Sequence, residues 1–210
     1  NSEHTQQYQS RKLAGMGIEV EPDHIMTSGL ATASFLQSQH PSAKVFAIGN
    51  VGLIEALVEA GFILTEDKPD YVVLGETHDY TYDRLKIAIR CVLGGAKLIG
   101  TNPDVTGPSE GGIIPACRAL ISPIELATGK KAYYIGKPNP LIMRHSLRKL
   151  NCHREDAVII GDRMDTDIIA GIESEILTVL VLSGITNRDD IECFAYRPDL
   201  ILEHVGQIVV

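Results

Sequence analysis

The sequence predicts an α/β protein built on parallel sheet. Short β-branched runs alternate with longer amphipathic stretches almost from end to end. The runs are largely apolar rather than alternating, which marks strands buried on both faces and covered by helices. The stretches between them repeat their apolar residues at helical spacing.

The strand runs, in order, are Lys44–Ile48, Tyr71–Leu74, Ala96–Ile99, Ala132–Ile135, Ala157–Ile160, Thr178–Leu182 and Leu200–Leu202. Helix is predicted over Val51–Ala60, where Leu53, Ile54, Leu57 and Val58 share a face and Gly61 supplies a C-terminal stop. Tyr82–Val92 repeats the pattern with Leu85, Ile89 and Val92, and Leu141–Leu150 does so with Met143, Leu147 and Leu150. Lys44-Val45-Phe46-Ala47-Ile48-Gly49-Asn50 and Lys131-Ala132-Tyr133-Tyr134-Ile135-Gly136-Lys137 both read as strand, glycine turn and helix start, a likeness that any βα unit shows. Two βα series follow, one over about 41–130 and one from 131 onward. They predict two α/β lobes, with residues 1–40 belonging to one of them.

Composition narrows the function. The 210 residues are 44% hydrophobic and 22% charged, so a packed core is expected rather than disorder. The net charge of −8 argues against a nucleic-acid-binding surface, whose footprint is basic. No apolar run approaches the roughly 20 residues that span a bilayer, and the opening Asn1-Ser2-Glu3-His4 does not read as a signal peptide. Cys91, Cys117, Cys152 and Cys193 lie far apart with no C-x-x-C pair. They fit a reducing cytoplasm, and each is expected to be a small buried residue.

Chemistry is concentrated at two strand ends. Val158-Ile159-Ile160-Gly161-Asp162-Arg163-Met164-Asp165-Thr166-Asp167 is a buried strand followed by three carboxylates within six residues. The carboxyl edge of a parallel sheet is where open α/β folds bind ligands. Acids crowded there repel one another unless a cation sits among them, and hard oxygen ligands suit Mg²⁺. Asp162, directly after the strand, is the candidate metal ligand, whereas Asp165 reads as a cap of the next helix. At the second site, Gly136-Lys137-Pro138-Asn139-Pro140, a lysine is followed by an N-cap and a proline at the first helical position. A helix N-terminus and an ammonium aimed at one small volume bind an anion, typically phosphate. Cation and anion sites expected on neighbouring strand ends point to phosphoryl chemistry. A Rossmann-type nucleotide site is disfavoured, because Gly49-Asn50-Val51-Gly52 lacks the third glycine of the fingerprint. His78, Tyr80 and Tyr82 are either ligand-facing or ordinary helix-start residues.

These motifs resemble those of the haloacid dehalogenase-like (HAD) phosphatases, and within them the NagD and p-nitrophenyl phosphatase branch. The resemblance is carried by Gly136–Pro140, by Gly161–Asp167, by Gly100-Thr101-Asn102-Pro103-Asp104, by Arg197-Pro198-Asp199, and by Thr27–Ala33, which looks like the helix leading into a cap. It implies a Rossmann-like HAD core with an inserted α/β cap: core over 1–40 and 131–210, cap over 41–130. It further implies a Mg²⁺-dependent hydrolysis of small phosphate monoesters through an aspartyl-phosphate. In that scheme Asp162 holds the metal, Asp167 orients metal waters, and Lys137 neutralises nucleophile and phosphate. Asn1, read as the last member of a Thr/Ser-Asn-Asn run, contacts phosphate, while Asn102 and Asp104 face the substrate from the cap. The expected partner is a small phosphorylated metabolite, with no nucleic acid and no membrane, and a homodimer through the cap is in keeping with the family. The family's nucleophile and general acid sit in a D-x-D strand that has no counterpart in these 210 residues. The only D-x-D is Asp165-Thr166-Asp167, on the wrong side of Lys137. The expectation is therefore a chain lacking an N-terminal piece of its parent. The alternative is a catalytically inactive fragment or phosphate-ligand binding module on the same fold.

Overall fold

The computed structural model describes residues 2–109 and 111–208. The chain forms two compact units, the first ending at Gly136 and the second beginning at Lys137. Among the described residues no helix is long and apolar enough to cross a membrane.

The first unit runs α1 (Gln6–Ala14), α2 (Ser28–Gln39), β1 (Lys44–Ile48), α3 (Val51–Glu59), β2 (Ile63–Leu64), β3 (Tyr71–Leu74), α4 (Tyr82–Leu93), β4 (Lys97–Gly100), β5 (Thr106–Ser109), β6 (Gly112–Pro115), α5 (Cys117–Thr128) and β7 (Tyr133–Tyr134). Its sheet has the order β2-β1-β3-β4-β7 and is parallel throughout. Residues of the inner strands β1, β3 and β4 are buried on both faces, as the apolar runs predict, whereas the short edge strands β2 and β7 are largely exposed. Phe46, Ile48, Val72, Leu74 and Leu98 join α4 and α5 in one core, and the alternate residues Val45, Ala47 and Val73 are buried on the other face. β5 and β6 form a separate antiparallel hairpin. The turn after α3 has the predicted stop, since Gly61 adopts φ +85°, where a side chain is strained.

The division of the chain differs from the expected one at both ends of the cap. Residues 1–40 group with 41–136 rather than with the second unit. The reason is a close helix pair: α2 packs on α3, and a Cβ on Gly29 would lie 3.2 Å from the Gly52 carbonyl. Likewise β7, predicted to open the second lobe, closes the first sheet, because Ile99 and Gly100 pair with Tyr133 and Tyr134.

The second unit holds α6 (Pro140–Leu150), β8 (Val158–Gly161), a π-turn over Met164–Ile168, α7 (Ile169–Glu173), β9 (Leu177–Val181) and β10 (Leu200–Leu202). Its parallel sheet has the order β10-β9-β8. Met164, Ile168, Leu180 and Ile191 form its core. Asp199 accepts hydrogen bonds from Thr178 N (2.8 Å) and Thr178 Oγ1 (2.7 Å), fastening the start of β10 to β9. These bonds hold its carboxyl below the usual carboxylate range. A depressed native pKa stabilises the fold above the unfolded value of about 3.9, and the gain is lost as pH falls through the native one. Thr178→Val keeps the buried shape and removes the hydroxyl, which donates to the Asp199 carboxylate and accepts from Asp199 N. It is expected to cost about 1 kcal/mol in urea titrations at pH 7 and to flatten stability between pH 5 and pH 3. Equal acid sensitivity in wild type and variant would refute the Asp199 link.

Of the cysteines, Cys91 and Cys117 are buried as expected, while Cys152 is half-buried and Cys193 exposed. Cys193 corrects the expectation because it ends the largely exposed 3₁₀ turn that links β9 to β10. Burial raises the Cys117 thiol to about 11, so it is inert at neutral pH.

Candidate functional site

In the second unit the structure joins the two sequence motifs directly. Gly136 makes the lysine's position possible: its N–H reaches Thr101 O at 2.8 Å, and a Cβ there would lie 2.4 Å from that oxygen. Lys137 follows, joined to Pro138 by a cis peptide bond. Asn139 then caps α6, its Oδ1 accepting from Leu141 N at 3.0 Å with Pro140 at the first helical position. Both features of the predicted helix start are present.

Lys137 Nζ donates to Asp167 Oδ1 at 2.5 Å. The other oxygen of Asp167 accepts from Arg163 N at 3.2 Å. The Asp167 side chain is 8% exposed and that of Lys137 41%. Asp167 therefore anchors the ammonium from below, and the lysine keeps an open side. Gly161 provides the space: a Cβ would lie 2.2 Å from that of Asp167. Contrary to expectation, Lys137 and Asp162 do not stand on neighbouring strands of one sheet. β7 lies in the first unit's sheet and β8 in the second's, so the Lys137–Asp167 pair makes the connection instead.

Asp162 is half-buried at the end of β8. Its Oδ2 accepts from Ile185 N at 2.9 Å, and its carbonyl from Thr186 N at 3.0 Å. Thr186 Oγ1 in turn accepts from Met164 N at 3.2 Å. A Cβ on Gly184 would lie 2.1 Å from Asp162 Oδ2. One carboxylate oxygen thus orients the loop after β9, and among the described residues no donor reaches the other. Asp165 is turned away: Arg163 Nε and Nη2 grip it at 2.9 and 2.7 Å. That grip holds its carboxyl below the usual range. Among the described residues no three acids, histidines or cysteines gather into a metal cage. Asp162 offers a single oxygen, a pattern that suits an ion retaining much of its water.

The first unit has its own polar cluster at the carboxyl ends of β3 and β4. Ser2 Oγ donates to Glu76 Oε2 (3.2 Å) and accepts from Glu76 N (3.3 Å) and Thr101 Oγ1 (3.2 Å). Asn102 Nδ2 donates to Glu76 Oε1 at 2.8 Å, and its Oδ1 accepts from Asp104 N at 3.1 Å. Asn102 is buried and Asp104 half-buried. Strand order reverses between β1 and β3, the crevice where open α/β sheets bind ligands. Here residues 2–4 occupy it, with Gly52 N donating to Glu3 O at 3.0 Å. Asn1 lies outside the described residues. Of the other candidates, Tyr80 donates to Leu120 O at 2.7 Å, and His78 and Tyr82 are exposed.

Sequence reasoning missed Glu76, Gly184 and Thr186. Gly184 had a signal, a glycine just past an apolar strand run, the same sign that marks Gly161, although β8 before Gly161 is partly exposed rather than buried as expected. Glu76 had none, because its partners lie 74 and 26 residues away.

A haloacid dehalogenase-like hydrolase model matches residues 1–63, and a HAD-hydrolase-like model matches 134–208. Dihydroxyacetone phosphatase of Corynebacterium glutamicum (strain R) is 45% identical over 208 residues, covering 99% of this chain and 76% of that protein. Ribonucleotide monophosphatase NagD of Escherichia coli (strain K12) is 41% identical, over 96% of this chain and 79% of that one. The solved p-nitrophenyl phosphatase from Archaeoglobus fulgidus superposes with a TM-score of 0.89 at 35% identity, over 97% of this chain and 80% of its own. The chain belongs to the haloacid dehalogenase-like hydrolases. Within them it falls in the NagD and p-nitrophenyl phosphatase branch, among phosphoric monoester hydrolases.

Proposed function

We propose that this chain forms the phosphate-handling and cap portions of a Mg²⁺-dependent phosphatase acting on small phosphorylated metabolites. The observation that carries the reading is Lys137, its side chain partly exposed and held by buried Asp167, which itself lies five residues in sequence from Asp162 and its open carboxylate oxygen. Lys137 binds the phosphoryl oxygens and stabilises the charge that develops on them. Asp167 fixes the ammonium, and the Gly184–Thr186 loop fixes the Asp162 carboxylate. Asp162 holds Mg²⁺, which when bound supplies further charge stabilisation. Residues 41–130 serve as the cap, joined by α2 through its packing on α3, and Asn102 orders the cap's substrate-facing loop through Glu76 and Asp104. Asn1 remains a candidate phosphate contact. The aspartate nucleophile and general acid come from a D-x-D segment of the parent outside these 210 residues. The names of the relatives, covering dihydroxyacetone, nucleotide and sugar phosphates, support the substrate class.

The test is turnover of such a panel by the complete enzyme, with Mg²⁺ and with chelator, alongside the intact mass of the natural protein. Mg²⁺-dependent release of phosphate is expected, with a mass several kilodaltons above 22.8 kDa. Phosphate binding without turnover would turn the reading to a binding module. In the same enzyme Asp162→Asn is expected to weaken Mg²⁺ binding, followed by calorimetry, by about tenfold or more. Unchanged Mg²⁺ affinity would remove Asp162 from the metal site.

A further inference from the structure

The opposite edge of the five-stranded sheet carries a second concavity, remote in the strand direction from the Ser2–Glu76 cluster. Tyr71, Lys97 and Tyr133 are the first residues of parallel strands β3, β4 and β7, so all three open at the amino edge. The cavity there measures about 570 Å³, within the range of small-molecule sites. Its floor is apolar: Tyr71, Val92 and Leu98 are buried. Its wall is aromatic, with the Phe35 ring of α2 lying 5.6 Å from that of Tyr133 and tilted by 39°. Its rim is cationic. Lys97 Nζ stands 5.7 Å from the Tyr71 ring centroid, and Lys130 and Lys131 enter from the segment before β7.

The acids nearby are already engaged. Asp70, beside Tyr71, accepts from Lys44 N at 2.8 Å. Glu125 accepts from Ala132 N at 2.8 Å and stands 3.6 Å from Lys131. Three ammonium groups around one aromatic hollow, Lys131 alone of them ion-paired with an acid among the described residues, are out of keeping with a chain of net charge −8. A compact, strongly hydrated anion would use the rim alone. A flat ring carrying an anionic group would use both, burying its faces on the aromatic wall while the lysines meet its charge.

We propose that this cavity is a binding site for small aromatic anions, one or two fused rings bearing a sulfonate, carboxylate or phosphate, separate from the Lys137 centre. The probe is 8-anilinonaphthalene-1-sulfonate, titrated by fluorescence into the complete enzyme. Saturable one-to-one binding is expected, at least tenfold weaker in Lys97→Glu/Lys131→Glu and in Tyr133→Ala, and unchanged in Lys137→Met or on adding inorganic phosphate with Mg²⁺. The two lysines are exposed, so the charge-reversed chain should keep its wild-type circular dichroism. Equal affinity in the charge-reversed chain, or displacement of the dye by phosphate and Mg²⁺, would overturn the proposal. Neither result bears on whether the enzyme hydrolyses phosphate esters.

Discussion

Replacing Lys137 by methionine is expected to lower kcat/KM for phosphate esters by about 10²–10³ in the complete enzyme, the usual consequence of removing one group that meets developing charge. The same change should also destabilise the second unit. Asp167 is buried and, among the described residues, Lys137 is its one cationic partner, so the variant leaves a carboxylate largely sealed from water with the Arg163 N–H as its remaining donor among them. Breaking a fully buried pair costs about 3–5 kcal/mol. The half-exposed lysine is partly screened, which reduces the expected loss to about 1–3 kcal/mol. The two effects separate in Lys137→Met/Asp167→Asn. The neutral amide no longer carries a stranded charge, so stability measured by urea titration should return most of the way while turnover stays low. If the double variant regains activity as well, Lys137 acts only by holding Asp167, and its role toward phosphate is wrong.

Much of this arrangement was legible in the sequence, and the illegible parts share a cause. Strands buried on both faces announce themselves as apolar runs, and Lys44–Ile48 and Tyr71–Leu74 are found where they were predicted. Asn139 and Pro140 declared the start of α6, because a cap acts within a few residues. α2 was not evident from periodicity. Its sequence SGLATASFLQSQ buries Gly29, Ala31, Thr32 and Ala33, residues chosen for close approach to α3 rather than for a wide apolar stripe. The β5–β6 hairpin is largely exposed and so lacks any buried alternation. β7 is two residues long, and nothing local says which sheet it joins. At the site, Lys137 and Asp162 stand out because each follows a strand and a glycine. That Asp167 rather than Asp162 receives the lysine depends on the π-turn over Met164–Ile168, which no short-range pattern reveals.

Alanine at Gly161 is expected to be among the most damaging single-methyl additions in the second unit. The new Cβ would lie 2.2 Å from Asp167 Cβ, 2.3 Å from its Cγ and 2.6 Å from Oδ2. Asp167 cannot swing aside without releasing both Lys137 and the Arg163 N–H. Overpacking alone costs about 1–3 kcal/mol, and a displaced buried carboxylate raises the total to roughly 3–5 kcal/mol. Turnover should fall with it, because the ammonium loses its anchor. Gly184→Ala provides the contrast. Its Cβ would lie 2.1 Å from Asp162 Oδ2 and 2.3 Å from Asp162 Cβ, so turning the carboxylate toward solvent relieves only part of the clash. That variant should lose about 1–3 kcal/mol of stability by overpacking, as measured by urea titration, less than Gly161→Ala because no buried ion pair is displaced, and should bind Mg²⁺ more weakly. A Gly161→Ala enzyme with wild-type stability and turnover would show that Asp167 has room to move and does not set the position of Lys137. Equal damage to stability from both glycines would instead mean that packing of the β8 and β9 ends, rather than the seating of two particular carboxylates, fixes them as glycine.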